Sequence, residues 1–115
     1  MTEQVLVVED ESLVAMLVED LLLDLGCEVV GPAATEAQAL ALALGRNLDF
    51  ALLDVNLGEG LNSFAVADML RDRRVPFAFV TGYGERGVRP DLRDAPVISK
   101  PINPRVLERV LRGMR

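Results

Sequence analysis

The sequence has no histidine and no tryptophan, one cysteine, one tyrosine and, against eleven arginines, a single lysine. Without histidine there is no Ser-His-Asp triad, no Cys-His pair and no histidine-ligated zinc site. The lone Cys27 has no partner for an internal disulfide, and one thiolate cannot by itself build a metal site. It reads as a small apolar residue at the start of a strand. Long uncharged runs are also missing: Glu19, Asp20 and Asp24 interrupt the most apolar stretch, so no segment reaches the roughly 20 residues of a membrane-spanning helix. The opening Thr2-Glu3-Gln4 is acidic and lacks a basic n-region, so no secretory signal is expected and the chain is assigned to the cytoplasm.

What is present describes one globular domain. The 115 residues are 50% apolar and 26% charged, a size and balance that suit a single domain over 1–115. Charge is divided unevenly. Residues 1–60 hold twelve acids and one base, residues 61–115 six acids and eleven bases, and the whole carries −6. The bases are spread over several elements and are not interleaved with aromatics, so DNA is not an expected partner.

Short apolar runs alternate with longer amphipathic ones. Gln4 to Val8 is apolar at successive positions, as in a strand buried on both faces. Ser12 to Leu25 reads as a helix closed by Gly26, and Glu28 to Ala33 as a second strand. Thr35 and Gln38 form a capping box that opens a helix ending near Gly45. Phe50 to Asp54 is a third strand, Ser63 to about Arg73 a helix, Phe77 to Thr81 a fourth strand and Pro96 to Ser99 a fifth. Asn103 and Pro104 start a last helix with Val106, Leu107, Val110, Leu111 and Met114 on its apolar stripe. Between the last two strands Gly87 and Pro90 weaken the helical pattern, and Glu85–Asp94 is expected to be a short or mobile helix. Five βα units imply an α/β, flavodoxin-like doubly wound domain, with a parallel five-stranded sheet of order 2-1-3-4-5.

In that architecture ligands bind beyond the carboxyl ends of the strands. The residues there are Glu9, Asp10 and Glu11 after the first strand, Asp54 with Asn56 at the third, Thr81 at the fourth, and Lys100-Pro101 after the fifth. Clustered carboxylates without a soft ligand suit a hard cation such as Mg²⁺. Asp54 is placed to act as a nucleophile forming an acyl phosphate. Phosphoryl transfer then needs its oxygens neutralised, and Lys100, Thr81 and nearby N–H groups are available for that. With no anion bound, Lys100 is expected to pair with the carboxylates.

These residues resemble the receiver domain of two-component response regulators along the whole chain. The resemblance implies that Asp54 is the phosphoacceptor, charged by a histidine kinase or phosphotransfer protein whose histidine supplies the group. It implies Mg²⁺ held by Asp10, Asp54 and the backbone carbonyl of Asn56, with Glu9 acting through water. Thr81 and Lys100 would contact the phosphoryl group, and the Lys100–Pro101 peptide would be cis. Such a domain is a switch that catalyses its own phosphorylation and hydrolysis, not a metabolic enzyme. It would signal to a downstream protein as a monomer or weak dimer. Phe79-Val80-Thr81-Gly82-Tyr83 is similar to stand-alone alphaproteobacterial receivers with a Phe-Ala-Thr-Gly-type motif, which implies a single-domain regulator or phosphate sink.

Two positions depart from the family pattern. Val97 stands where receivers usually carry an aromatic switch residue, leaving Tyr83 or the Glu85–Asp94 segment to take its part. Asn62 stands where glycine is frequent after the third strand, and asparagine tolerates a left-handed backbone. Core packing explains most of the apolar character of the first helix, and the resemblance implies that the surplus is a docking face for a kinase helix pair. Two rival readings are a degenerate receiver that binds partners without phosphorylation, and a small phosphohydrolase suggested by Asp54-Val55-Asn56. In the second rival Asn56 would occupy a general acid/base position and cannot serve as one.

Overall fold

Side chains in the five strands alternate between two apolar layers, and this alternation builds the molecule. A computed structural model describes residues 2–115; Met1, the first residue of the domain expected from sequence, lies outside the described residues. The elements are β1 (Gln4–Val8), α1 (Ser12–Asp24), β2 (Glu28–Ala33), α2 (Glu36–Gly45), β3 (Phe50–Asp54), α3 (Phe64–Asp72), β4 (Phe77–Thr81), β5 (Val97–Ser99) and α4 (Pro104–Met114). The sheet is parallel with order β2-β1-β3-β4-β5, as the sequence pattern predicts.

Successive strand residues point to opposite faces. Leu6, Val8, Ala51, Leu53, Phe77 and Phe79 therefore fall on one side, where they meet Ala39 and Ala43 of α2 and Val66, Ala67 and Leu70 of α3. Val5, Val7, Phe50, Leu52, Ala78, Val80 and Ile98 fall on the other, against Val18 and Leu22 of α1 and Leu107 and Leu111 of α4. Burial on both faces is why the strands are written as unbroken apolar runs. Leu107 is fully buried, so Leu107→Ala should cost about 2–5 kcal/mol through lost transfer energy and a residual cavity. Urea unfolding reads this directly.

Local signals act as their residue types suggest. The Gln38 N–H donates to Thr35 Oγ1 (3.2 Å), while Gln38 Oε1 accepts from the Ala34 N–H (2.9 Å). Asn103 Oδ1 accepts from the Arg105 N–H at the start of α4. Cys27 is buried just before β2. Both Gly31–Pro32 and Lys100–Pro101 are cis.

Three features differ from expectation. β2 is interrupted: Leu6 pairs with Val30 but Val8 with Ala33, so the strand bulges at Gly31-Pro32. Gly31 has φ 97°, and a Cβ there would lie 2.7 Å from the Ala33 nitrogen, so only glycine fits. Asn62 is not the left-handed residue after β3; Gly58, Glu59 and Gly60 are. Asn62 has a different task, its Oδ1 accepting from the Phe64 N–H (3.0 Å) at the start of α3. Finally, the segment before β5 is short but anchored. It forms two 3₁₀ turns, Gly84–Gly87 and Pro90–Leu92, and Val88 and Leu92 are buried in the core. Arg89 pairs with Asp68 and Asp91, and Arg71 with Asp94.

Candidate functional site

The carboxyl ends of β1, β3, β4 and β5 share one edge of the sheet, and ladder hydrogen bonds running past those ends position the residues just beyond them. The Glu9 N–H donates to the Ala33 carbonyl (2.9 Å), the Val55 N–H to Val80 (3.1 Å) and the Lys100 N–H to Thr81 (2.9 Å). Pairing thus continues one residue beyond the strands and holds Glu9, Asp54 and Lys100 at fixed depth. Asp10, Asp54, Asn56 and Lys100 line one cavity of about 630 Å³, together with Glu11, Gly58, Glu59, Gly82 and Tyr83.

Lys100 is the centre of the electrostatics. Its Nζ lies 2.9 Å from Asp54 Oδ2, 3.1 Å from Glu9 Oε1 and 3.8 Å from Glu11 Oε1. Burial lowers the pKa of this ammonium, but the hydrogen bonds to Asp54 and Glu9 outweigh it, and the net shift is upward. Glu9 is only 4% exposed. Burial first, then its contact with Asp54, raises its carboxyl from 4.5 to about 7, against the opposing bonds from the Glu11 N–H and Lys100. The unfolded chain releases this proton near 4.5, whereas the folded one keeps it until about 7. Metal-free stability should therefore fall as pH rises through that window, with a slope of at most about 1.4 kcal/mol per pH unit. Glu9→Gln should flatten the slope in urea titrations run with chelator.

The residues singled out in the sequence do not all sit alike. Asp10, Asp54, Asn56 and Lys100 come together on the cavity wall. Glu9 is buried behind them, held by Lys100. Thr81 is 1% exposed, and its Oγ1 accepts the Tyr83 N–H at 3.0 Å, so its hydroxyl is engaged by its own loop. Tyr83 is 75% exposed on the cavity rim, and Val97 is half-buried. Two contributors had no role assigned from sequence. Glu11 offers a carboxylate oxygen within 4.8 Å of those of Glu9 and Asp54; its signal was the unbroken acid triplet 9–11. The loop 58–60 also lines the cavity, signalled by two glycines flanking an acid just after a strand.

A cluster of hard oxygen donors around one ammonium thus stands at the switch point of a doubly wound sheet, where such folds bind their ligands. The family described as "Response regulator receiver domain" matches residues 5–112. The chain belongs to that family.

The relatives agree. The phyllosphere-induced regulator PhyR of Methylorubrum extorquens is 38% identical over 109 residues, covering 90% of this chain and 40% of that protein. The polar-differentiation response regulator DivK of Brucella ovis is 32% identical, covering 96% of this chain and 94% of that one. The solution structure of SdrG from Sphingomonas melonis Fr1 superimposes with a TM-score of 0.88 at 41% identity, covering 98% and 96% of the two chains. This receiver chain thus spans well under half of PhyR but nearly all of DivK and SdrG. No helix among the described residues is long and apolar enough to cross a membrane.

Proposed function

We propose that this receiver accepts one phosphoryl group on Asp54 from a histidine kinase or phosphotransfer protein, with Mg²⁺, and signals by altered contacts with a downstream protein. The observation that carries this is the 2.9 Å pair between Asp54 and Lys100 on the cavity wall. A carboxylate poised to attack and an ammonium poised to receive charge stand side by side. The donor set suits the cation: Asp10, Asp54 and the Asn56 carbonyl would hold it as hard oxygen ligands, Glu9 would act through water, and the described cavity lining offers no soft ligand. When bound, Mg²⁺ supplies neutralisation of phosphoryl-oxygen charge.

The chain's own residues do the rest. An Asp54 Oδ forms the new bond to phosphorus as the P–N bond to the donor imidazole breaks, and the imidazole leaves with the electron pair and takes a proton. Lys100 then turns from Asp54 and Glu9 toward the bound phosphoryl oxygens. Thr81 reaches the same group by giving up the Tyr83 amide, which frees the Gly82–Gly84 loop to carry the change outward. Tyr83 rather than Val97 is the aromatic in position to report it. Hydrolysis reverses the switch when water attacks phosphorus and the carboxylate leaves.

The Phe79-Val80-Thr81-Gly82 stretch supports a single-domain regulator or phosphate sink. The exposed Leu13, Met16 and Leu17 of α1 support docking of a donor helix pair on that face. The chain works as a self-modifying switch, not a turnover enzyme. Intact mass after incubation with acetyl phosphate tests the reading: one phosphoryl group is added with Mg²⁺ and none with chelator. No adduct, under conditions where hydrolysis is too slow to hide one, would sink it in favour of phosphorylation-independent binding.

A further inference from the structure

The loop leaving β3 is the part of the Asp54 cavity whose backbone is strained. Gly58, Glu59 and Gly60 have φ of 80°, 49° and 76°, three successive residues in the left-handed region. The turn is closed by the Leu61 N–H donating to Gly58 (2.8 Å) and the Leu57 N–H donating to Leu61 (3.0 Å). It is also seated on the site: a Cβ at Gly58 would lie 3.1 Å from Asp10 Oδ2. Glycine enters this region freely, and asparagine or aspartate do so with local hydrogen bonds; glutamate does so at a cost. A strained residue held in place at a functional site calls for a functional reason.

Glu59 lines the cavity with Asp10, Glu11 and Asp54, and Lys100 is the one cation on that wall among the described residues. Lys100 is already shared between Asp54 and Glu9. Glu59 forms no ion pair among the described residues and is exposed at the opening, so its charge faces whatever enters.

We propose that Glu59 is an electrostatic selector, a fixed negative charge on the rim that disfavours free small anions at Asp54. Phosphoryl groups would then arrive chiefly from a protein donor, whose docking contacts outweigh the repulsion. This inference rests on the proposed function for its donors, but the charge acts on any anion entering the cavity. A dianion is repelled about twice as strongly as a monoanion, and salt screens the effect.

The test uses the full chain and two donors at saturating Mg²⁺, followed by intact mass. Acetyl phosphate is a dianion near pH 7 and transfers phosphorus to an Asp54 oxygen as its acyl P–O bond breaks and acetate leaves. Phosphoramidate is mainly a monoanion at that pH, and its P–N bond breaks as ammonia leaves. At low salt, Glu59→Gln should raise the acetyl phosphate rate constant about two- to fivefold and the phosphoramidate one by less, a range expected for one charge across such a cavity. Glu59→Asp, which keeps the charge, should behave as wild type, and about 0.5 M salt should erase the difference.

Equal gains with both donors and no salt dependence would mean that the backbone acts, not the charge, and would overturn the proposal. So would a slower Gln variant, which would assign the carboxylate to the cation. Titration with orthophosphate, followed at the Gly82 and Lys100 amides by NMR, separates this inference from the function it rests on. If wild type takes no phosphoryl group, tighter phosphate binding by Glu59→Gln still upholds the selector, and unchanged binding ends it.

Discussion

Asp54→Asn should gain no mass under conditions where wild type gains one phosphoryl group. The expected loss is complete, because an amide has neither the charge nor the lone-pair availability to attack phosphorus. The variant is informative because the fold should survive it. Asp54 is 4% exposed and crowded by Glu9 and Glu11, so replacing its charge with an amide relieves repulsion while an amide oxygen can still accept from Lys100. A variant with unchanged urea unfolding and no adduct isolates the chemistry. An adduct on the variant, mapped by peptide mass, would move the acceptor to another carboxylate, with Glu11 and Asp10 the first to check in the cavity.

Lys100→Arg keeps the charge and should nevertheless disconnect phosphorylation from signalling. Lys100 Nζ sits among three carboxylates at 2.9, 3.1 and 3.8 Å with its side chain 21% exposed, a site that takes a compact ammonium able to swing between partners. A guanidinium is planar and larger, and it prefers two-point pairing with one carboxylate. In the arginine variant, Asp54 or Glu9 would hold that fork and the phosphoryl group would lose its main cationic contact. We expect a drop of about tenfold or more in the phosphorylation-dependent change of partner affinity, a loss of the size that a charged hydrogen bond supplies. The change in amide shifts of the Thr81–Gly84 loop on phosphorylation checks this without any partner in hand. Full wild-type shifts in the variant would contradict it.

Much of this architecture was legible because parallel strands buried on both faces leave a plain record. Gln4–Val8, Phe50–Asp54 and Phe77–Thr81 are apolar runs of strand length that lead into polar residues, and a doubly wound order sends those ends to one edge. Caps at Thr35 and Asn103 are equally local, since each is a side chain reaching a backbone group two or three residues away. Departures arose where long-range contacts override local preference. Asn62 tolerates a left-handed backbone, yet Glu59 adopts it, because closure of the turn onto Asp10 fixes the path from Gly58 to Gly60. The Gly31-Pro32 pair is itself a local sign of a bulge, but where β2 resumes its register along β1 is set by the folded sheet. Gly87 and Pro90 weaken a helix as expected, but Val88 and Leu92 anchor the segment because they join the core cluster beside α3 and β4.

Element order, fold and the set of acids, hydroxyl and lysine delivered to the sheet edge are written in the sequence, because periodicity and strand ends are properties of short segments. The wiring of that set belongs to the folded chain. Lys100 and Asp54 are 46 residues apart in sequence, and only the folded distances show that the ammonium bridges Asp54 to Glu9, that Thr81 is engaged by the Tyr83 amide, and that Glu59 faces the cavity. Those are competitions among groups from separate segments for one small space, and a competition is settled by distance and burial rather than by residue type.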